Sequence, residues 1–285
     1  MTSSNSPPSL ADLRREIDGI DDALHDLLMR RAALVDAIAA AKRGEPSLAG
    51  PGLRPGREAA ILRRLLARHQ GRFPRKALVR IWRELVNAMT NLQGPYAVAV
   101  HIPDGNPDLW DLARDHFGTV VAVREYDSPG AIIRAVVEQP GTVGVLRFPA
   151  EGEAEPWWPA LLVTDPKAPR LVARLPVARQ GEPDVDAVVI ARSPLDPSGH
   201  DVSLFALETN GPVSRASLLE RLAAAGFGAA ILATQPGTTP DSGRCHLIQV
   251  DGFHDATAIA SLRAAGGDAV VAGVWLGGYA VPIVF

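Results

Sequence analysis

Arg31, Lys42, Arg57, Glu58 and Gln93 are the residues whose types and spacing point to chemistry. Each falls on, one turn before or one turn beyond a run of apolar residues that recurs every three or four positions. Cations and an amide beside a single carboxylate suit a small anionic ligand held by charge-assisted hydrogen bonds. The same stretch offers no Cys/His cluster with metal-ligand spacing and no nucleophile beside a base. The chemistry expected is therefore binding and electrostatic stabilisation, with no cofactor.

Three helices must position these groups. Leu13, Ile17, Ile20, Leu24, Leu27, Leu34 and Ile38 form one seam of a helix over 13–42. Arg31 occupies the inward position between Leu27 and Leu34, and Lys42 continues the line past Ile38. A charge in such a seam costs several kcal/mol, on the order of a buried unpaired ion, unless something pairs with it. A structural ion pair or a snorkelling side chain explains one such residue equally well; recurrence on the neighbouring helices favours a site. The second helix, 56–68, has Ile61, Leu62, Leu65 and Leu66 on its apolar face, with Arg57 and Glu58 one turn earlier. The third, 77–93, carries Leu78, Ile81, Trp82, Leu85, Val86 and Met89, and then Gln93. Arg14 lies about 42 Å from Lys42 along a straight helix, so any role for it requires a pocket built with a second chain. A solvated first-turn arginine near Asp18 is the plainer reading of Arg14 taken alone.

Residues 9–95 resemble the all-helical class of chorismate mutase, a three-helix chain that forms an intertwined homodimer. The resemblance rests on Leu13-Arg14-Arg15-Glu16-Ile17-Asp18, Leu27-Leu28-Met29-Arg30-Arg31, Ala40-Ala41-Lys42, Arg57-Glu58 and Ile81-Trp82-Arg83-Glu84-Leu85 leading to Gln93. It implies a Claisen rearrangement of chorismate to prephenate, in which one C–O bond breaks and one C–C bond forms without a covalent enzyme intermediate. On that resemblance Arg31, and Arg14 from the partner chain, grip the two carboxylates. Lys42 and Gln93 donate to the ether oxygen, Glu58 holds the ring hydroxyl and Arg57 supports the site. Two departures, Arg54 before the Arg-Glu pair and Met89 near the end of the third helix, bear on substrate affinity rather than reaction type. The linker between Lys42 and Arg57, with Gly44, Pro46, Gly50, Pro51, Gly52, Pro55 and Gly56, is also longer than the family leads one to expect.

A chain of 285 residues is long enough for two or three domains. Its one cysteine, Cys245, excludes a disulfide framework and falls in an expected strand as a small core residue. No run approaches a membrane span and residues 1–8 read as a short polar, disordered tail, so a cytoplasmic protein is expected. Through Pro95 there are 16 Lys and Arg against 10 Asp and Glu, and beyond it 13 against 22. Without a recognition helix or an aromatic-basic patch, the positive part reads as selecting a small acid rather than nucleic acid.

After Gly94-Pro95 the pattern changes to βαβαβ: strands at 96–102, 119–124 and 141–148 with helices at 107–117 and 129–138, implying a parallel sheet. Gly105 and Gly118 read as turns. Further strands are expected at 160–164, 170–175 and 186–192, and Trp157 and Trp158 are expected to pack under a loop. Following a mutase, residues 96–195 resemble a truncated prephenate dehydratase-like α/β domain. The Thr-Arg-Phe signature of that family falls near Ala191-Arg192-Ser193, where only the arginine matches, so loss of dehydratase activity is expected. Residues 196–285 follow βαββαβ order, with Ser214 capping the first helix after Asn210-Gly211-Pro212, and resemble an ACT domain, implying either an effector site, with an aromatic amino acid as the candidate effector, or a module that only dimerises. Ala233-Thr234-Gln235-Pro236 replaces the Glu-Ser-Arg-Pro run of the phenylalanine-sensing form. The expectation is thus a multidomain mutase; an intact bifunctional mutase/dehydratase and a non-catalytic amino-acid sensor stand as alternatives.

Overall fold

The computed structural model describes residues 7–42, 52–102, 107–211, 213–237 and 243–285. Most of the expected tail at 1–8, most of the linker glycines and prolines, Gly105, Pro212 and the Lys42 side chain lie outside the described residues. The chain separates into two compact units, 1–49 and 50–285.

The first unit is the helix α1 (Leu10–Lys42). Its start is sealed by reciprocal capping: Ser9 Oγ accepts from Asp12 N at 3.2 Å, and Asp12 Oδ2 accepts from Ser9 N at 3.1 Å. The expected seam is continuous but uncovered, with Leu13, Ile17, Ile20, Leu24, Leu27, Leu34 and Ile38 all 42–60% exposed.

The second unit begins with α2 (Pro55–Arg68) and α3 (Arg75–Gln93). Pro55 opens α2, where its missing N–H is not needed. Next come β1 (Ala97–His101), α4 (Asp108–Phe117), β2 (Ala122–Tyr126), α5 (Pro129–Glu138) and β3 (Thr142–Arg147). As the βαβαβ order requires, β2, β1 and β3 are parallel neighbours. The strand expected at 160–164 is not formed. Trp158–Leu161 is instead a 3-10 turn, and the backbone N–H groups of Ala160, Leu162 and Val163 donate locally, to Trp157 O, Pro159 O and Leu161 O, instead of to a neighbouring strand. Both tryptophans are buried, Trp157 donating from Nε1 to Arg147 O at 3.0 Å.

The strands β4 (Arg170–Leu175), β5 (Ala178–Arg179) and β6 (Ala187–Ala191) follow, with β6 antiparallel to both β3 and β4. The chain then gives β7 (Asp201–Thr209), α6 (Arg215–Ala224), β8 (Ala229–Pro236), β9 (Arg244–Asp251), α7 (Ala258–Gly266) and β10 (Val270–Ala280). These strands lie in the antiparallel order β10-β7-β9-β8, the ACT-like arrangement. Ser214 caps α6, its side chain accepting from Ser217 N at 3.1 Å. Cys245 is buried in β9. The tail ends in β11 (Ile283–Val284), paired with β5.

All strands except β5 and β11 join one nine-stranded mixed sheet, β2-β1-β3-β6-β4-β10-β7-β9-β8. Residues 195 and 196 fall between strands of this single sheet. Its two halves meet where Gly277 of β10 pairs with Leu171 of β4. Gly277 has φ +119°, and a Cβ there would stand 2.2 Å from Leu171 O, so the join requires glycine.

Candidate functional site

Two features of α2 tie it to the α/β body. Arg54 Nε donates to Asp196 Oδ1 at 3.1 Å, and a Cβ on Gly56 would meet Asp196 O at 2.0 Å, so glycine allows this approach. Arg63 donates to four oxygens beyond the strands of the first half: Ser198 O, Ser198 Oγ, His200 O and Val281 O, at 2.9–3.0 Å. Burial holds its pKa below the usual arginine range, opposed by the nearby Asp201 carboxylate. Secured in this way, α2 presents Glu58 from its first turn, and packing on α3 closes over it.

Glu58 and Arg57 do not point the same way, as the periodicity alone would have them. Glu58 is 8% exposed, whereas Arg57 is exposed. The partner of Glu58 is Arg83 of α3, whose Nη1 donates to Glu58 Oε2 at 2.6 Å; both side chains are at least nine-tenths buried. Arg83 also donates from Nε to His116 O at 2.9 Å, and its Nη2 stands 2.9 Å from His116 Nε2 and 3.5 Å from Asn87 Oδ1. Asn87 Nδ2 in turn donates to Arg83 O and His116 O, and Tyr96 OH donates to Asn87 Oδ1 at 2.7 Å.

A guanidinium can only donate, so His116 Nε2 must accept and the ring proton resides on Nδ1. Burial, reinforced by the Arg83 charge, holds the His116 pKa well below the ordinary histidine value of 6.5. Burial likewise raises the Tyr96 pKa, with Glu58 adding to the shift and Arg83 opposing it. The result is a nearly dry polar cluster in which one cation, one anion and three neutral groups satisfy one another.

Arg83, Asn87 and Thr90 are the buried polar residues of α3, alongside Val86 and Met89. The apolar period placed Ile81 inward, yet it is 51% exposed. The readable signal for the observed face was polar: Arg83, Asn87 and Thr90 recur at four and three residues, as a buried helical stripe does. Gln93 is partly buried at the end of α3, its Nε2 3.5 Å from Met89 O, and Gly52 lies against its amide. On α1, Arg14 is exposed, while Arg31 is partly buried beside exposed Arg30. Of the residues singled out from sequence, Arg57, Glu58 and Gln93 thus share the second unit with Arg83, whereas Arg14, Arg31 and Lys42 belong to α1.

Behind Arg83 and His116 lies a cleft of about 550 Å³ between α3, α4 and the segment 176–185. Asp111, Asp184 and Phe285 stand on its walls. Among the described residues no group of His, Cys, Asp or Glu is arranged to hold a metal ion. None of the described helices is long and apolar enough to cross a membrane.

The family described as chorismate mutase type II matches residues 13–94. A bifunctional chorismate mutase/prephenate dehydratase of Stutzerimonas stutzeri is 28% identical over 145 residues, half of this chain and 39% of that protein. The protein of the same description from Neisseria gonorrhoeae is 33% identical over 105 residues, 37% of this chain and 27% of that one. The matched segments therefore span about two-fifths or less of these curated relatives. A solved prephenate dehydratase from Streptococcus mutans superposes with a TM-score of 0.47 at 14% identity, covering 66% of this chain and all of that one. A prephenate dehydratase of Arthrobacter aurescens, solved in complex with L-Phe, gives 0.48 at 11% identity, covering 65% and 90%. Residues 13–94 match the chorismate mutase type II family, and over half its length the chain is similar to bifunctional chorismate mutase/prephenate dehydratases.

Proposed function

We propose that this protein is a chorismate mutase that converts chorismate to prephenate. The observation that carries the reading is the match of residues 13–94 to the type II family, a span that holds all six polar positions singled out above. The rearrangement needs a flexible dicarboxylate held in its compact reactive conformer and stabilisation of the negative charge developing on the ether oxygen. In this reading Arg31 and the partner's Arg14 bind the carboxylates, and Lys42 and Gln93 donate to the ether oxygen. Glu58 accepts from the ring hydroxyl, and Arg57 supports the site. Loss of a preorganised donor such as Lys42 costs about 3–4 kcal/mol.

The proposal includes a homodimer, a cytoplasmic location and domains at 9–95, 96–195 and 196–285. The uncovered apolar stripe of α1 supports the dimer, since a large exposed apolar stripe on a water-facing helix marks an association surface. The ACT-like module is proposed to take an aromatic amino acid, and the region 96–195 to lack dehydratase activity. At 191–193, Arg192 is exposed, with Nη1 donating to Val137 O at 3.0 Å.

Incubation of the purified protein with chorismate, following loss of its ultraviolet absorbance, tests the mutase reading. Phenylpyruvate formed in step with prephenate would instead establish the bifunctional enzyme, and a folded protein without turnover the sensor.

A further inference from the structure

We propose that Arg83 is a positioning residue of the mutase site: it fixes the carboxylate of Glu58, while the α/β body, through His116 and Tyr96, fixes Arg83. This rests on the reading that Glu58 binds substrate.

Arg83 is 3% exposed, so water cannot replace a lost partner. Its plane is set from several sides, by Glu58 Oε2, His116 O, His116 Nε2 and Asn87 Oδ1. Such multidentate donation fixes orientation as well as charge, which an ammonium does not reproduce. Two of the anchors come from outside the helical segment. His116 is the penultimate residue of α4, and Tyr96 immediately precedes β1. Tyr96 holds Asn87 by its hydroxyl, Asn87 is bonded to both Arg83 and His116, and Arg83 ends the series on Glu58. Because His116 is held neutral, its Nε2 lone pair stays available to the guanidinium.

The family match ends at Gly94, two residues short of Tyr96 and well before His116. A role follows for the α/β region that requires no dehydratase chemistry: it completes the support of a substrate-binding carboxylate. A displacement of about 1 Å in such a group costs up to about a hundredfold in rate.

The test uses the full chain and measures kcat, KM for chorismate and thermal unfolding for each variant. Arg83→Lys is expected to lower kcat/KM by about ten- to a hundredfold in protein that remains folded at the assay temperature. His116→Leu removes an acceptor and is expected to give about a tenfold loss, whereas His116→Gln, which keeps an acceptor, recovers most of it. Tyr96→Phe deletes one hydroxyl and serves should the bulkier changes prevent folding; a measurable fall in kcat/KM is expected. In a double-mutant cycle, Arg83→Lys is expected to add little to the loss caused by Glu58→Gln, since both act on one group. Lowered melting temperatures with unchanged kcat/KM, or losses that multiply in the double variant, would overturn the proposal. No turnover in the unaltered chain would overturn the mutase reading, and this inference with it.

Discussion

Replacing Arg83 with methionine is predicted to destabilise residues 50–285 severely. The change removes the donor to Glu58 Oε2, the donors to His116 O and Nε2, and the cation paired with the buried Glu58 carboxylate. Breaking one side of a buried ion pair costs about 3–5 kcal/mol, because the remaining charge has neither water nor a partner. For a unit of this size each kcal/mol lowers the melting temperature by about 2–4 °C, so a fall of about 6–20 °C is expected. Removing the orphaned charge as well, in Glu58→Leu/Arg83→Met, should return more than half of that loss, since apolar replacements of a buried pair are often tolerated. Urea denaturation followed by far-ultraviolet circular dichroism, at fixed protein concentration, measures both variants. A loss under about 1 kcal/mol in the single variant, or a double variant no better than the single, would refute the reasoning.

Other consequences are as direct. His116 and His246 both have pKa values held below 6.5, chiefly by burial. The unfolded chain therefore binds protons near pH 6.5 that the native chain refuses, and stability falls as pH drops below that value. The slope is at most about 1.4 kcal/mol per pH unit for each histidine; His116→Gln should flatten it in pH-dependent denaturation, and an unchanged slope would remove His116 from the account. Gly277→Ala, at φ +119° and against the Leu171 backbone, should open the join between the two halves of the sheet and cost more than about 3 kcal/mol; a variant as stable as the parent would contradict the pairing. Gly144→Ala places a methyl 2.5 Å from Ile132 Cγ2 and should cost about 1–3 kcal/mol by overpacking, measured in the same denaturation series. The Cys245 thiol, buried and with its pKa pushed up to about 12, should resist thiol reagents in the native protein and react once urea unfolds it.

Local rules made most of the fold legible. The period of α1, the Ser214 cap and the βαβαβ and βαββαβ orders are all signals within one element or its immediate neighbours. The segment 160–164 misled because Leu161, Leu162 and Val163 form a short apolar run, while the 3-10 turn over Trp158–Leu161, which buries Trp158, takes their backbone into local hydrogen bonds. The site was legible only in part. Glu58 stood out as an acid one turn before an apolar run, but its partner Arg83 did not. Arg83 sits on a polar stripe of α3 whose burial depends on α4 and Tyr96, far along the chain. Arg63 escaped for the same reason, since its four acceptors lie 135 to 218 residues away.

The central claim is most directly tested by the turnover of chorismate in the purified chain and its Lys42→Ala variant, monitored by absorbance with prephenate identified as product. The account predicts conversion by the parent and a loss of about two to three orders of magnitude in kcat for Lys42→Ala, with the variant's melting temperature unchanged. A parent that leaves chorismate intact while fully folded, or a variant as fast as the parent, would contradict it.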